Sequence, residues 1–377
     1  MTDFVVFGED WGAFPSSTQH LIRHLMPKHR VIWVNSIGLR APKLTFRDTK
    51  RLFLKAWSMF RYNRQRPKCH NDAKNPYIIE PLALPFHQFR VVRKLNQYLL
   101  SQQINKVIKQ QDFSQITLLI SLPTAADLVG CFGEKKIIYY CGDDFEALEH
   151  VDHQPVSLLE QELAHKADLI VTASQNIAKK FPAHKTVALP HGVDYQLFST
   201  PTDAPKDTPS SGYVAGFYGT ISSWIDTELL STTAKTMPQW QFVLIGHAKV
   251  DITLLKGLPN VHFLGFKPHH ELPAYVQHWD VALLPFQRNP QIEACNPLKL
   301  KEYLASGTPV AATRFPAAEE YQHAIAIQSP GEDFANVITR AYLQQNMAAF
   351  RRQLVADKTW QTRADQLEDL IKNSDYT

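Results

Sequence analysis

Cysteine is scarce in this 377-residue chain, and its four copies, Cys69, Cys131, Cys141 and Cys295, are scattered, with no C-x-x-C pair and no histidine at a zinc-like spacing. A disulfide scaffold and a metal-binding cysteine cluster are therefore excluded, and a reducing, cytoplasmic setting is expected. Long apolar runs are missing too: no window approaches the roughly 18 residues of a membrane-spanning helix. The first residues, MTDFVVFGEDWGAF, lack the basic start and apolar core of a secretory signal. Acids are absent from one stretch almost entirely. From Arg40 to Lys68 there are ten Lys or Arg against the single acid Asp48, within a chain of net charge only +4. Such a block expects an anionic partner.

What is present is the composition of a folded soluble protein, 44% apolar and 20% charged. The length suits two domains better than one core. Apolar runs at Phe4–Phe7, Val31–Val34, Thr117–Ile120, Lys136–Tyr140, Leu169–Thr172 and Thr186–Leu189 read as buried strands. Amphipathic segments such as Thr18–Met26 and Arg90–Gln110 lie between them. A second series follows at Tyr213–Tyr218, Gln241–Ile245, Val261–Leu264, Val281–Pro285, Thr308–Ala312 and Ala324–Ile327. Strands alternating with helices predict α/β architecture with parallel sheets. The aperiodic segment STPTDAPKDTPSSG, residues 199–212, reads as a linker. The expected division is a Rossmann-like domain over 1–198, the linker, and a second Rossmann-like domain over 213–355. The closing helical segment, 356–377, is expected to return to the first domain.

Several motifs admit both a functional and a structural reading. Gly219-Thr220 follows an apolar strand, and Gly246 ends the next one; glycines there let a backbone approach a phosphate, or simply turn the chain. Gly265-Phe266-Lys267 would lie at the carboxyl edge of the same sheet, with Phe266 either a ligand contact or a packing residue. Asn296-Pro297 reads as a helix start with Asn296 as cap, and Ser306-Gly307 as its end. Within that helix Lys299, Glu302 and Tyr303 share a face. A carboxylate there can accept hydrogen bonds from a ribose diol while a lysine or the helix start neutralises a diphosphate; the alternative is a solvated Lys–Glu pair. Asp143-Asp144 follows the strand IIYYC and is either a general base or a helix cap. Glu160 and Glu162 suit a solvated helix face. His20 and His191 read as structural.

The stretch NPLKLKEYLASGTPVAAT resembles the nucleotide-sugar-binding segment of GT-B glycosyltransferases, in particular the family 4-like group. GFYGTISSWIDTELL, QFVLIGHA and NVHFLGFKPHHELPAYVQHWDVALLPF agree with it in order. This resemblance implies two Rossmann-like domains facing across a cleft. It implies that Glu302 binds ribose hydroxyls, that Lys299 with Asn296, Pro297 and Leu298 and the Gly219–Thr220 loop meets the diphosphate, and that Gly265, Phe266 and Lys267 contact the base. Gly246 belongs to the same donor site. Asp10-Trp11-Gly12, after the first strand, would lie in the loop under donor phosphates or acceptor, and Asp144, Asp143 and Asp10 are the catalytic candidates. The family's E-x7-E pattern is broken: eight residues before Glu302 stands Ala294, and Glu293 is one position off. Stereochemical outcome is therefore not carried over. No D-x-D pair ends a strand, which agrees with a metal-independent reaction that needs no cofactor beyond its donor, expected to be a UDP-sugar.

In DTKRLFLKAWSMFRYNRQR, residues 48–66, Phe53, Trp57 and Phe60 recur at helical spacing among cations. A basic amphipathic helix of this kind can lie in a lipid interface or bury its aromatic stripe. The lipid reading is preferred, and nucleic acid is not expected, since no binding module for it accompanies the charge. The expected function is sugar transfer to a hydroxyl acceptor, a glycan or lipid-linked saccharide of the cell envelope, at the inner face of the plasma membrane. The alternatives are a nucleotide-sugar epimerase of the same fold, and a non-catalytic sugar-nucleotide-binding subunit of a membrane assembly.

Overall fold

The computed structural model describes residues 1–13, 16–37, 75–84, 89–147 and 153–373. The basic segment 48–66 lies outside the described residues. The chain forms two compact units, residues 1–190 with 363–377, and residues 191–362.

The first unit is built on seven parallel strands: β1 (Asp3–Phe7), β2 (Arg30–Val34), β3 (Tyr77–Ile79), β4 (Ile116–Ile120), β5 (Lys136–Cys141), β6 (Leu169–Thr172) and β7 (Thr186–Ala188). Their order is β3-β2-β1-β4-β5-β6-β7. Central strands such as DFVVF and ITLLI are buried along their whole length, as expected where helices cover both faces of a parallel sheet. The second unit carries six parallel strands: β8 (Tyr213–Tyr218), β9 (Trp240–Ile245), β10 (Val261–Gly265), β11 (Val281–Leu284), β12 (Val310–Ala312) and β13 (Ala326–Ile327). Their order is β10-β9-β8-β11-β12-β13. In each sheet the order of strand addition thus reverses once, at β1/β4 and at β8/β11, and a reversal of this kind opens a crevice at the carboxyl ends of the strands.

The boundaries differ from those expected. The first unit ends at Pro190, not at residue 198, because Asp194 caps a short helix, Tyr195–Ser199, whose Phe198 is fully buried in the second core. The segment 199–212 is no free linker but part of the second unit: Thr202 bonds Gln277, and Asp207 bonds both Lys267 and Tyr275. The final helix, Trp360–Asn373, joins the first unit from Arg363 onward rather than from residue 356. There Asp365 and Glu368 pair with Lys28, and the Ile371 carbonyl accepts from buried Lys136.

Candidate active site

The carboxyl ends of β8, β9 and β10 form a row of glycines. Gly219 follows β8 with φ 133°, Gly246 follows β9 with φ 134°, and Gly265 closes β10 with φ 70°. These backbone conformations strain any residue with a Cβ. The row is also tight. A Cβ on Gly246 would lie 2.1 Å from the Gly219 carbonyl oxygen, and the Gly246 amide donates to the Gly265 carbonyl at 2.7 Å. A Cβ on Gly219 would meet Lys299 Cε at 2.3 Å. The lysine therefore lies directly over a turn floored by glycine, beside the point where the strand order reverses.

Lys299 belongs to the helix Leu298–Ser306, which Gly307 ends in the left-handed conformation, φ 82°. Its ammonium has no hydrogen-bond or ion-pair partner among the described residues and lies 6.0 Å from the centre of the Phe217 ring. Burial pushes its pKa down, and the negative charge of Glu302 only partly opposes this. Part of the residue's surface stays open to solvent, which tempers the effect of burial without changing its direction. Nearby in the chain, Ser222 Oγ is buried with no hydrogen-bond partner among the described residues, and Thr220 is half-buried.

Glu302, one helical turn on, is buried and engaged at both oxygens. Oε1 accepts from His269 Nε2 at 2.7 Å and Oε2 accepts from the Tyr218 hydroxyl. Burial works against the carboxylate, but the His269 bond, the Tyr218 hydroxyl and the charge of Lys299 outweigh it and hold the pKa below the ordinary carboxylate value. Burial likewise opposes charging of His269, yet its bond to Glu302 raises the imidazole pKa. The solvated Lys–Glu pair is thus ruled out: both side chains are turned into the unit. Asn296 is not the helix cap. Pro297 occupies that place, Leu298 opens the helix, and the Asn296 amide oxygen is taken by buried Lys301. Glu293 pairs with Arg288 at 3.3 Å in a separate short helix, Pro290–Ala294.

Beyond the glycine row, Phe266 is half-exposed and stacks flat on His247, rings 5.6 Å apart and 2° from parallel. Lys267 is held at 2.6 Å by Asp207. Sequence reading passed over His247, His269, Tyr218 and Ser222. The partners of His247, His269 and Tyr218 stand well apart from them in the sequence, so no local spacing marked them.

The first unit presents carboxylates at the ends of β1 and β5. Asp10 accepts from the amide and hydroxyl of Ser36, at 3.0 and 2.8 Å. The Trp11 amide donates to Asn35 at 2.9 Å, the Trp11 ring packs on Trp33, and Gly12 donates to Gln19 at 3.2 Å. This loop is fixed by its own bonds, and Asp10 is its brace. Asp144 caps the turn at Glu146 and pairs with Lys180 at 2.6 Å. Asp143 differs. Burial first, then the neighbouring carboxylates of Glu9 and Asp144, push its pKa up to about 6. More than a third of Asp143's surface stays exposed, so the like charges are the firmer cause. Glu9 Oε2 is itself buried with no hydrogen-bond partner among the described residues. Glu160, expected on a solvated face, is buried: Tyr139 donates to it at 2.6 Å, and Lys180 reaches it at 3.4 Å.

A comparison with known proteins decides what this edge belongs to. The profile of the family described as glycosyl transferases group 1 matches residues 214–344. The second unit is thus similar to a group 1 glycosyltransferase domain. A curated relative, the putative teichuronic acid biosynthesis glycosyltransferase TuaH of Bacillus subtilis, is 30% identical over 208 residues, which is 50% of this chain. The match covers 52% of TuaH, so the chain spans about half the length of that relative. The whole fold resembles Anabaena HepE, solved in complex with UDP-glucose, with TM-score 0.67 at 15% identity over 99% of this chain and 100% of that one. Sucrose-phosphate synthase of Thermosynechococcus elongatus gives TM-score 0.70 at 14% identity, with 99% of each chain covered. Both likenesses establish the GT-B type of fold, two Rossmann-like units. The glycine row, Lys299 and Glu302 all lie within the residues that the family profile matches.

Proposed function

We propose that the protein transfers a sugar from a nucleoside diphosphate donor to a hydroxyl of an acceptor. The observation that carries this reading is Lys299, a largely enclosed cation with no ion-pair partner among the described residues, over the glycine turn that ends β8 in the span that resembles group 1 glycosyltransferases. An unpaired cation is costly to enclose unless an anion completes it. A diphosphate does so, with the backbone amide of Thr220 and the Ser222 hydroxyl as further donors, while the Gly219 amide is kept by the Ile245 carbonyl at 2.8 Å. Glu302 has about four acceptor sites and uses two on His269 and Tyr218, which leaves capacity for ribose hydroxyls. Phe266, with His247 behind it, offers a face to a base.

In the reaction the acceptor oxygen forms a bond to the sugar's anomeric carbon while the bond from that carbon to the diphosphate breaks. The acceptor proton passes to a carboxylate, and the nucleoside diphosphate leaves with its electron pair. Asp143 suits the proton better than Asp144, since Asp144 is held by Lys180 and the turn, whereas the pKa of Asp143 is raised. Asp10 keeps a bracing role. Protein donors, Lys299 foremost, offset the leaving charge, so no metal or further cofactor is required.

The donor is proposed to be a UDP-sugar, supported by the UDP-glucose complex of HepE. The acceptor is proposed to be a glycan or lipid-linked saccharide of the cell envelope, as the name of TuaH suggests. On this reading the enzyme works in the cytoplasm, peripheral to the membrane, with the basic segment 48–66 meeting anionic lipid. Among the described residues no helix is long and apolar enough to cross a membrane. A thermal-shift panel of nucleoside diphosphates and their sugars tests the donor site, since a ligand of the native state raises Tm. Release of UDP that requires acceptor supports transfer. Sugar isomerisation with donor alone would make the protein an epimerase, and binding without turnover in membrane extract would make it a binding subunit.

A further inference from the structure

The helix Arg90–Gln110 in the first unit has an unusual outer face. Its inner face is ordinary: Asn96, Leu100, Ile104 and Ile108 are buried. On the other side Val91, Leu95 and Tyr98 recur at i, i+4 and i+7 and are 79%, 43% and 62% exposed. Phe89, just before the helix, is 56% exposed, and Leu84 and Leu99 also show large surfaces. Residues at this spacing lie one above the other on a helix, so they form a continuous stripe rather than scattered contacts.

The charge around the stripe is of one sign. The helix holds Arg90, Arg93, Lys94, Lys106 and Lys109 and not one Asp or Glu. Among the described residues only Arg93 is matched by acids, Asp127 and Glu162, on the inner side. Arg90 and Lys94 flank Val91 and Leu95 and are exposed.

We propose that this face docks on an anionic lipid bilayer, with Phe89, Val91, Leu95 and Tyr98 entering the interface and Arg90 and Lys94 meeting the headgroups. Long basic side chains beside apolar ones can lie along the acyl boundary with their charges in the headgroup layer. A second copy of the chain is disfavoured as the occupant, because a two-fold contact would set this acid-free face against itself and oppose like charges. A nucleic acid would leave the aliphatic side chains without partners. The inference deepens the membrane reading given above but rests on different residues from segment 48–66.

Co-sedimentation of the full chain with vesicles tests it. The chain is expected to bind vesicles of equal parts phosphatidylcholine and phosphatidylglycerol and not those of phosphatidylcholine alone. Leu95→Glu/Tyr98→Glu, with segment 48–66 intact, is expected to lose about tenfold or more of that affinity, and Arg90→Glu/Lys94→Glu a similar amount. Both pairs are exposed, so Tm and the UDP-induced shift in Tm should stay at the parent values. Binding to anionic vesicles undiminished in both double variants would overturn the proposal, as would no binding by the parent. A parent dimer dissociated by Leu95→Glu/Tyr98→Glu would overturn it in favour of self-association. Failure of the parent to bind any nucleotide would reject the transferase reading while leaving the vesicle result to be judged separately.

Discussion

The two sheets share one strand order around their reversal points, yet their carboxyl edges are chemically opposite. The edge of β8, β9 and β10 is floored by glycine and carries an unmatched lysine. The edge of β1 and β5 carries Glu9, Asp10, Asp143 and Asp144, and two of these acids are already committed, Asp10 to Ser36 and Asp144 to Lys180. The same topology thus carries one edge with a lysine over glycine turns and one crowded with carboxylates. The difference lies in side chains, not in backbone plan, so function here is argued from the edges rather than from the fold.

If this contrast is right, damage to the acidic edge should appear in turnover and damage to the glycine edge in donor affinity. The largest effect is expected from Asp143→Asn, which should slow transfer by about 10²- to 10⁴-fold with donor affinity unchanged. Asp144→Asn should cost less, and a steady-state comparison in which Asp144→Asn is the more crippled would exchange the two roles. Next comes Gly246→Ala, whose new methyl would strike the Gly219 carbonyl in a strained backbone conformation. A loss of about 3 kcal/mol in denaturant unfolding is expected. Third, Lys299→Met should weaken UDP binding about 100-fold while leaving Tm equal or higher, since it removes a poorly compensated charge. A fall in Tm with UDP affinity intact would make Lys299 structural.

The smallest effect concerns pH. His269 has a raised pKa, so its contribution to stability is complete below its ordinary value of 6.5 and is lost as pH rises through the folded value. Glu302 has a depressed pKa, so its contribution is complete above 4.5 and is lost as pH falls through the folded value. The Tm advantage of the parent over His269→Gln should accordingly be greatest between those values and shrink as the solution is made alkaline. An advantage constant across alkaline pH would show that the pair is not ionised.

Much of the fold was legible because strands buried on both faces read as unbroken apolar runs, as in VALL of β11 and VVF of β1. The edge strand β3 was missed: Tyr77–Ile79 is three residues long and mostly half-buried, too little to carry a pattern. Local chemistry also misled where a distant partner intervened. Asn296 looked like a cap until Lys301 claimed its oxygen, and Glu160 looked solvated until Tyr139 and Lys180 drew it inward. At the edge of β8, β9 and β10, the glycines were readable from strand ends and Lys299 from the face of its helix. The His269 bond to Glu302, made across 33 residues, had no local trace.

Calorimetric titration of UDP into the parent and into Glu302→Ala, side by side, tests the central claim most directly. Saturable binding by the parent and a loss of about tenfold or more in the variant is the outcome that follows from a carboxylate gripping ribose. Equal affinities, or a parent that binds no nucleoside diphosphate at all, would contradict it.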